Sequence, residues 1–154
     1  MIKYKCNPLH LNFMNIDSYH YKTNIPIRFG DLNAFGVVNN DVFLTYFEMA
    51  HSGYWRQIVN WKSVSKGIII QNAEINYKKP VRFNDELFAY VKISNLRNCS
   101  FEVDYILTIL HAGEEDVCTT GKTVCVFFNY NTNKPERIPA IERQKMIDFE
   151  ALVY

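Results

Sequence analysis

The chain has 154 residues, with 17 basic and 16 acidic side chains, a formal charge of +1 and a sequence pI near 7.7. One domain is the default at this length, and a balance so close to neutral gives no global field to draw the protein onto nucleic acid or an anionic bilayer. At 48% hydrophobic and 15% aromatic residues the chain is too apolar to be disordered and long enough to bury a real core.

Cys6, Cys99, Cys118 and Cys125 form no CxxC pair, and their irregular gaps exclude a zinc knuckle or a dense disulfide framework. They read as free thiols in a reducing compartment. The opening residues, MIKYKCNPLHLNFMN, carry two lysines, but Pro8, His10 and Asn12 interrupt any apolar stretch, so no secretory signal is read there. No run reaches transmembrane length. The expectation is a soluble cytoplasmic protein with a small-molecule partner, no nucleic acid and no membrane.

In chain order, residues 1–17 read as an amino-terminal tail and 18–154 as one domain. Residues 18–29 place Tyr19, Tyr21, Ile25 and Ile27 on one parity, the period of a half-buried strand, and Pro26 puts that strand at an edge or bulge. Residues 30–40, GDLNAFGVVNN, hold two glycines, an aspartate and three asparagines, the chemistry of a shaped loop. A helix follows. Phe43, Phe47, Ala50, Tyr54 and Ile58, flanked by Val42, Tyr46 and Val59, make a broad apolar stripe, while Asp41, Thr45, Glu48 and Ser52 fall on the opposite face. Asn39 or Asn40 is placed to cap this helix.

The remainder predicts four strands, at 67–77, 86–96, 100–110 and 117–130, then a short helix at 140–152, with turns at 84–85, 97–98 and 112–116. The third of these strands alternates most cleanly, with Phe101, Val103, Tyr105, Leu107 and Ile109 on one face. One strand, one long helix and four antiparallel strands are satisfied together when the sheet curls around the helix and buries its stripe. The fold class is therefore α+β.

Residues 28–55, RFGDLNAFGVVNNDVFLTYFEMAHSGYW, with INYKKPVRFNDEL at 75–87, SFEVDYIL at 100–107 and GKTVCVFFNYNTNKPERIP at 121–139, resemble the hotdog-fold acyl-CoA thioesterases, including the 4-hydroxybenzoyl-CoA thioesterase group. The resemblance covers about residues 19–149. It implies a curled antiparallel sheet wrapped around one long central helix, assembly as a homodimer or homotetramer with sites between subunits, and hydrolysis of acyl-CoA or acyl carrier protein thioesters. It implies no cofactor beyond the coenzyme A of the substrate, and no metal.

Thioester hydrolysis needs an attacking water or carboxylate and preorganised donors for the developing oxyanion. A helix amino terminus offers free N–H groups and a positive dipole end. By the resemblance these are the backbone N–H groups around Val38, Asn39 and Asn40, with Phe35, Gly36 and Val37 approaching the substrate. The sequence departs from the family at one telling place. The second acidic position of the Asp-x-Asp loop motif, the usual catalytic Asp, is Asn33, and an amide is neither a general base nor a carboxylate nucleophile. Two polar positions used by some members are also changed, to Val37 and Asn40.

Asn33 is thus expected to orient a water or the thioester carbonyl while another carboxylate acts as base. Two alternatives stand beside this: an acyl-CoA binder without turnover, and relaxed composition in an Asn-rich chain. A hotdog dehydratase lacks its Asp/His constellation here. Glu48, eight positions after Asn40 on the polar stripe, is the candidate base, and its structural alternative is pairing with Arg56 or His51. Asp31 reads as architectural, closing the loop, and Asp41 as a dipole complement. Lys78, Lys79 and Arg82, with Arg97 and Lys122 at other strand ends, are candidates for the phosphates of coenzyme A. His10, His20, His51 and His111 show no metal spacing, and no cysteine has a His neighbour in sequence.

Overall fold

The computed structural model describes residues 15–152. The tail read from the sequence falls mostly on residues 1–14, which lie outside the described residues. β1 (Tyr21–Ile25) buries Tyr21 and Ile25, as the alternation predicts. It stops at Pro26, which has no N–H to extend a ladder. α1 (Val42–Tyr54) runs on into a wider turn at Trp55–Val59, closed by Asn60 in the left-handed region at φ 54°. Four long strands follow: β2 (Lys66–Tyr77), β3 (Glu86–Leu96), β4 (Ser100–His111) and β5 (Glu114–Asn129). A two-residue β6 (Lys134–Pro135) and a second helix, α2 (Ala140–Glu150), complete the chain.

All pairings are antiparallel, in the order β1-β3-β4-β5-β2, with β6 added beside β5. β1 and β2 are therefore the two edges, and the sheet between them curls around α1 in the hotdog arrangement. The side chains on α1 explain the curl. Phe43, Tyr46, Phe47, Ala50 and Tyr54 are all buried, on the stripe read from the sequence, and each large one contributes about 1.5–3 kcal/mol by leaving water. Phe47 stacks flat on Tyr105 of β4, with ring centroids 4.4 Å apart. That stack needs Gly121 on β5, where a Cβ would lie 2.2 Å from the Phe47 ring and 2.8 Å from the Glu74 carbonyl oxygen.

The convex face is held by charge. Glu115 accepts hydrogen bonds from Tyr90 (2.9 Å) and Thr108 (2.6 Å) and pairs with Lys22 of β1, so one carboxylate ties three strands to the β4–β5 turn. α2 packs beyond the start of β1, past Tyr21. Its Glu150 accepts from the Tyr54 hydroxyl and from the Ile93 backbone N–H, both at 2.9 Å, and so takes the place a longer β1 would have filled along β3.

Two local expectations change. Neither Asn39 nor Asn40 caps α1 through its side chain. β5 begins at Glu114 rather than Val117, because the turn at Ala112 and Gly113 takes positive φ at both residues and closes more tightly than the sequence reading allowed.

Candidate active site

The loop between β1 and α1 is a small hairpin. Asn33 donates its N–H to the Val37 carbonyl (2.8 Å), Asn39 donates to the Asp31 carbonyl (2.9 Å), and Leu32 bridges Val38 between them. The tip, Ala34 to Gly36, is closed by the Asn33 side chain, whose Oδ1 accepts from the N–H groups of Phe35 (2.9 Å) and Val37 (3.3 Å). Gly36 completes the turn at φ 74°, a conformation that resists a Cβ. Because both bonds require the amide oxygen, the Asn33 NH₂ is left without an acceptor among the described residues.

The base of the hairpin is fixed by Asp31, which is buried. Its carboxylate accepts from the Arg28 guanidinium (2.8 Å), the Arg28 N–H (2.9 Å) and the Tyr46 hydroxyl (2.8 Å). Burial alone would raise this carboxyl, but the Arg28 and Tyr46 hydrogen bonds outweigh it and hold the group below the usual carboxylate range. Asp31 is architectural, as expected, although it works by bonding Arg28 and α1 and not by an Asx turn.

The return arm docks on residues 81–82. Val38 donates its N–H to the Val81 carbonyl (2.8 Å) and Val37 bridges Arg82. Of the three backbone donors expected at the helix start, those of Val38 and Asn39 are thus occupied within the protein. The N–H groups of Asn40 and Asp41 find no acceptor among the described residues. The Asn40 carbonyl accepts the Tyr77 hydroxyl at 2.8 Å.

Glu48 is exposed on α1 and has no ion-pair or hydrogen-bond partner among the described residues, so neither Arg56 nor His51 neutralises it. With Thr45, Met49, His51, Ser52 and Trp61 it lines an open groove of about 980 Å³ between the two sheet edges. Eight residues of helical rise put Glu48 about 12 Å along the axis from Asn40. Within one copy of the chain, Glu48 thus stands about two helical turns from the open donors at the start of α1.

The cations divide. Lys79 pairs with Asp116 (3.1 Å), whereas the side chains of Lys78 and of Arg82, which bridges the hairpin at Val37, have no ion-pair partner among the described residues. Arg97 and Lys122 lie elsewhere, both bonded to Glu102 on the convex side, which removes them from the site. Phe35 is exposed at the hairpin tip, and Phe29 and Phe83 meet edge to face at 6.0 Å next to it. Cys118 and Cys125 are buried with their thiols pushed up to about 11 by burial, which makes them poor nucleophiles. His51 is buried between Trp55 and Phe101 and is pushed down to about 4 by the same cause, so it stays neutral near pH 7. No cluster of three His, Cys, Asp or Glu side chains able to hold a metal occurs among the described residues.

A profile of the thioesterase-like superfamily matches residues 27–146. The chain belongs to that superfamily. It is 25% identical to a Thermus thermophilus thioesterase solved with coenzyme A and zinc, with a TM-score of 0.74 over 90% of this chain and 99% of that one. It is also 27% identical to the uncharacterised Bacillus subtilis protein YsmA, across 76% of this chain and 78% of YsmA. Identity to the chloroplastic acyl-acyl carrier protein thioesterase ATL3 of Arabidopsis thaliana is 24%, over 86% of this chain and 70% of ATL3. Among the described residues of this thioesterase-like chain, no helix is long and apolar enough to cross a membrane.

Two residues of this site escaped the sequence reading. Tyr46 was assigned only to the core stripe, since nothing local links it to Asp31 fifteen positions earlier. Tyr77 lies in the stretch INYKKPVRFNDEL, but its partner, the Asn40 carbonyl, is set by the meeting of β2 with the helix start.

Proposed function

We propose that the protein hydrolyses an acyl-CoA thioester to free coenzyme A and a carboxylic acid, with an acyl carrier protein thioester as the less favoured form of the substrate. The observation that carries this is a pair of backbone N–H donors, Asn40 and Asp41, left open at the start of α1 in a thioesterase-superfamily fold. The coenzyme A and acyl carrier protein named for the relatives support a thioester substrate.

In this mechanism the thioester carbonyl oxygen sits against those N–H groups and the Asn33 NH₂. Glu48 takes a proton from water as the oxygen attacks the carbonyl carbon, giving a tetrahedral oxyanion. Collapse breaks the C–S bond. The departing thiolate receives the proton from Glu48, so acid and thiol leave together and the carboxylate is restored. Because Glu48 lies about 12 Å along its own helix, the working Glu48 comes from a second copy. The free edge of β2 and the open groove beside α1 are the surfaces for such a homodimer, itself extendable to a homotetramer. Phe35, Gly36 and Val37 border the acyl end, and Lys78, Lys79 and Arg82 the coenzyme A phosphates. No resident cofactor or metal is assigned, and the compartment proposed is the cytoplasm.

A second proposal, an acyl-thioester binder without turnover, is favoured by one observation: the usual acid is Asn33, and its Oδ1 is already engaged in the hairpin. The test is free-thiol release, followed with a thiol-reactive dye, from short, long and aromatic acyl-CoAs. Turnover above the no-enzyme rate with any of them supports hydrolysis. Binding of every member without release leaves the binder.

A further inference from the structure

Tyr77 ends β2 with its hydroxyl 2.8 Å from the Asn40 carbonyl oxygen. Its ring stands edge-on to the buried Phe43 at 5.3 Å, and the two N–H groups that follow it, Lys78 and Lys79, both donate to the Cys118 carbonyl, at 2.8 and 3.0 Å. Strand and ring together therefore hold the hydroxyl in place. Tyr77 is 46% exposed, so its hydroxyl has no burial cost to escape and would be satisfied by water. Its position on a backbone carbonyl calls for another reason.

The Asn40 carbonyl and the Asp41 N–H belong to one peptide unit. A donor on the carbonyl oxygen draws electron density across that unit, strengthens the N–H as a donor and fixes the plane in which it points. Among the described residues the Asn40 carbonyl has otherwise only a long bond from Phe43 N–H, at 3.4 Å, so the tyrosine is its shorter partner. The Asp41 N–H at the far side of the unit has no acceptor among the described residues. We propose that Tyr77 is a positioning residue for catalysis: its hydroxyl orients and polarises the 40–41 peptide so that the Asp41 N–H meets the oxyanion. This rests on the hydrolase reading given above.

The test is Tyr77→Phe, which keeps the ring against Phe43 and removes only the O–H. The expected result is a fall in kcat of about tenfold, smaller than the 10²–10³ of deleting a direct oxyanion donor. KM stays within about twofold and the thermal midpoint is unchanged. A second readout uses acetonyl-CoA, whose carbonyl is separated from sulfur by a methylene and is not hydrolysed. Its bound carbonyl stretch, read by difference infrared, should lie at lower frequency in the wild type than in Tyr77→Phe. Equal kcat and equal carbonyl frequency overturn the inference while leaving hydrolysis intact. A raised KM at unchanged kcat also overturns it, because Tyr77 would then contact substrate directly. If the wild type releases no thiol from any acyl-CoA, the hydrolase reading falls and the inference with it.

Discussion

The Tyr46 hydroxyl meets the Asp31 carboxylate at 2.8 Å, and through that bond the second turn of α1 holds the base of the hairpin that carries Asn33. Loop and helix are thereby one rigid unit, and damage to either is felt in both. Asp31→Asn removes the charge that Arg28 and Tyr46 address. It is expected to cost about 1–3 kcal/mol in urea unfolding, because one of the two accepting oxygens becomes an NH₂ that faces a donor. Activity should fall with the hairpin. A variant as stable as the wild type would show that Asp31 does not hold this unit together.

Glu48→Gln should separate chemistry from folding. Glu48 has no partner in its own chain among the described residues and glutamine keeps its size, so the thermal midpoint should not move, while kcat should fall by about 10²–10⁴ if it is the base. Steady-state kinetics on the best acyl-CoA decides this, and near wild-type turnover would eliminate Glu48.

Asn33→Asp should leave the hairpin intact, since a carboxylate accepts the Phe35 and Val37 N–H groups as the amide does. It removes the NH₂ donor and places a negative charge beside the oxyanion, so kcat should fall at least tenfold. A rise in kcat would mean that the native chain lacks the acid it needs, and would favour the binder.

Gly121→Ala is a test of the core. The added methyl meets the Phe47 ring and the Glu74 carbonyl, and the ring cannot retreat while stacked on Tyr105. A loss of about 1–3 kcal/mol is expected from overpacking. An unchanged unfolding midpoint would show that the β2–β5 ladder yields easily at this point.

The convex face gives a pH dependence. Burial tends to raise the Glu115 carboxyl, but hydrogen bonds from Lys22, Thr108 and Tyr90 together bring it below its usual value. The unfolded state therefore binds the proton more readily. Stabilisation from Glu115 is full above the unfolded carboxylate value, about 4.3, and is lost as pH falls through the lower folded value. Unfolding free energies measured from about pH 6 to pH 2 should fall less steeply in Glu115→Gln than in the wild type. Parallel curves would count against the linkage.

The long elements were legible because their signals are periodic. Phe101 to Ile109 alternates over a whole strand, and the Phe43–Tyr54 stripe repeats at helical spacing, so these elements appear where the sequence places them. β6 was not legible, since two residues paired through their backbone leave no side-chain pattern. The site was legible as a region but not as geometry. The hairpin residues and Asn40 are neighbours in sequence and stay neighbours in space. That Val38 donates to Val81 and that Arg97 and Lys122 turn to Glu102 are consequences of strand order and register, which no local pattern contains.

Glu150 gives the Ile93 amide an acceptor where β1 no longer reaches, and it does so from the last turn of α2. The sheet is therefore completed by a side chain 57 residues further along the sequence. Loss of Glu150 would act on β3 as directly as on α2: the Ile93 amide would lose its acceptor and the Tyr54 hydroxyl at the end of the central helix its partner. During synthesis the same dependence means that β3 stays open at this point until α2 has emerged.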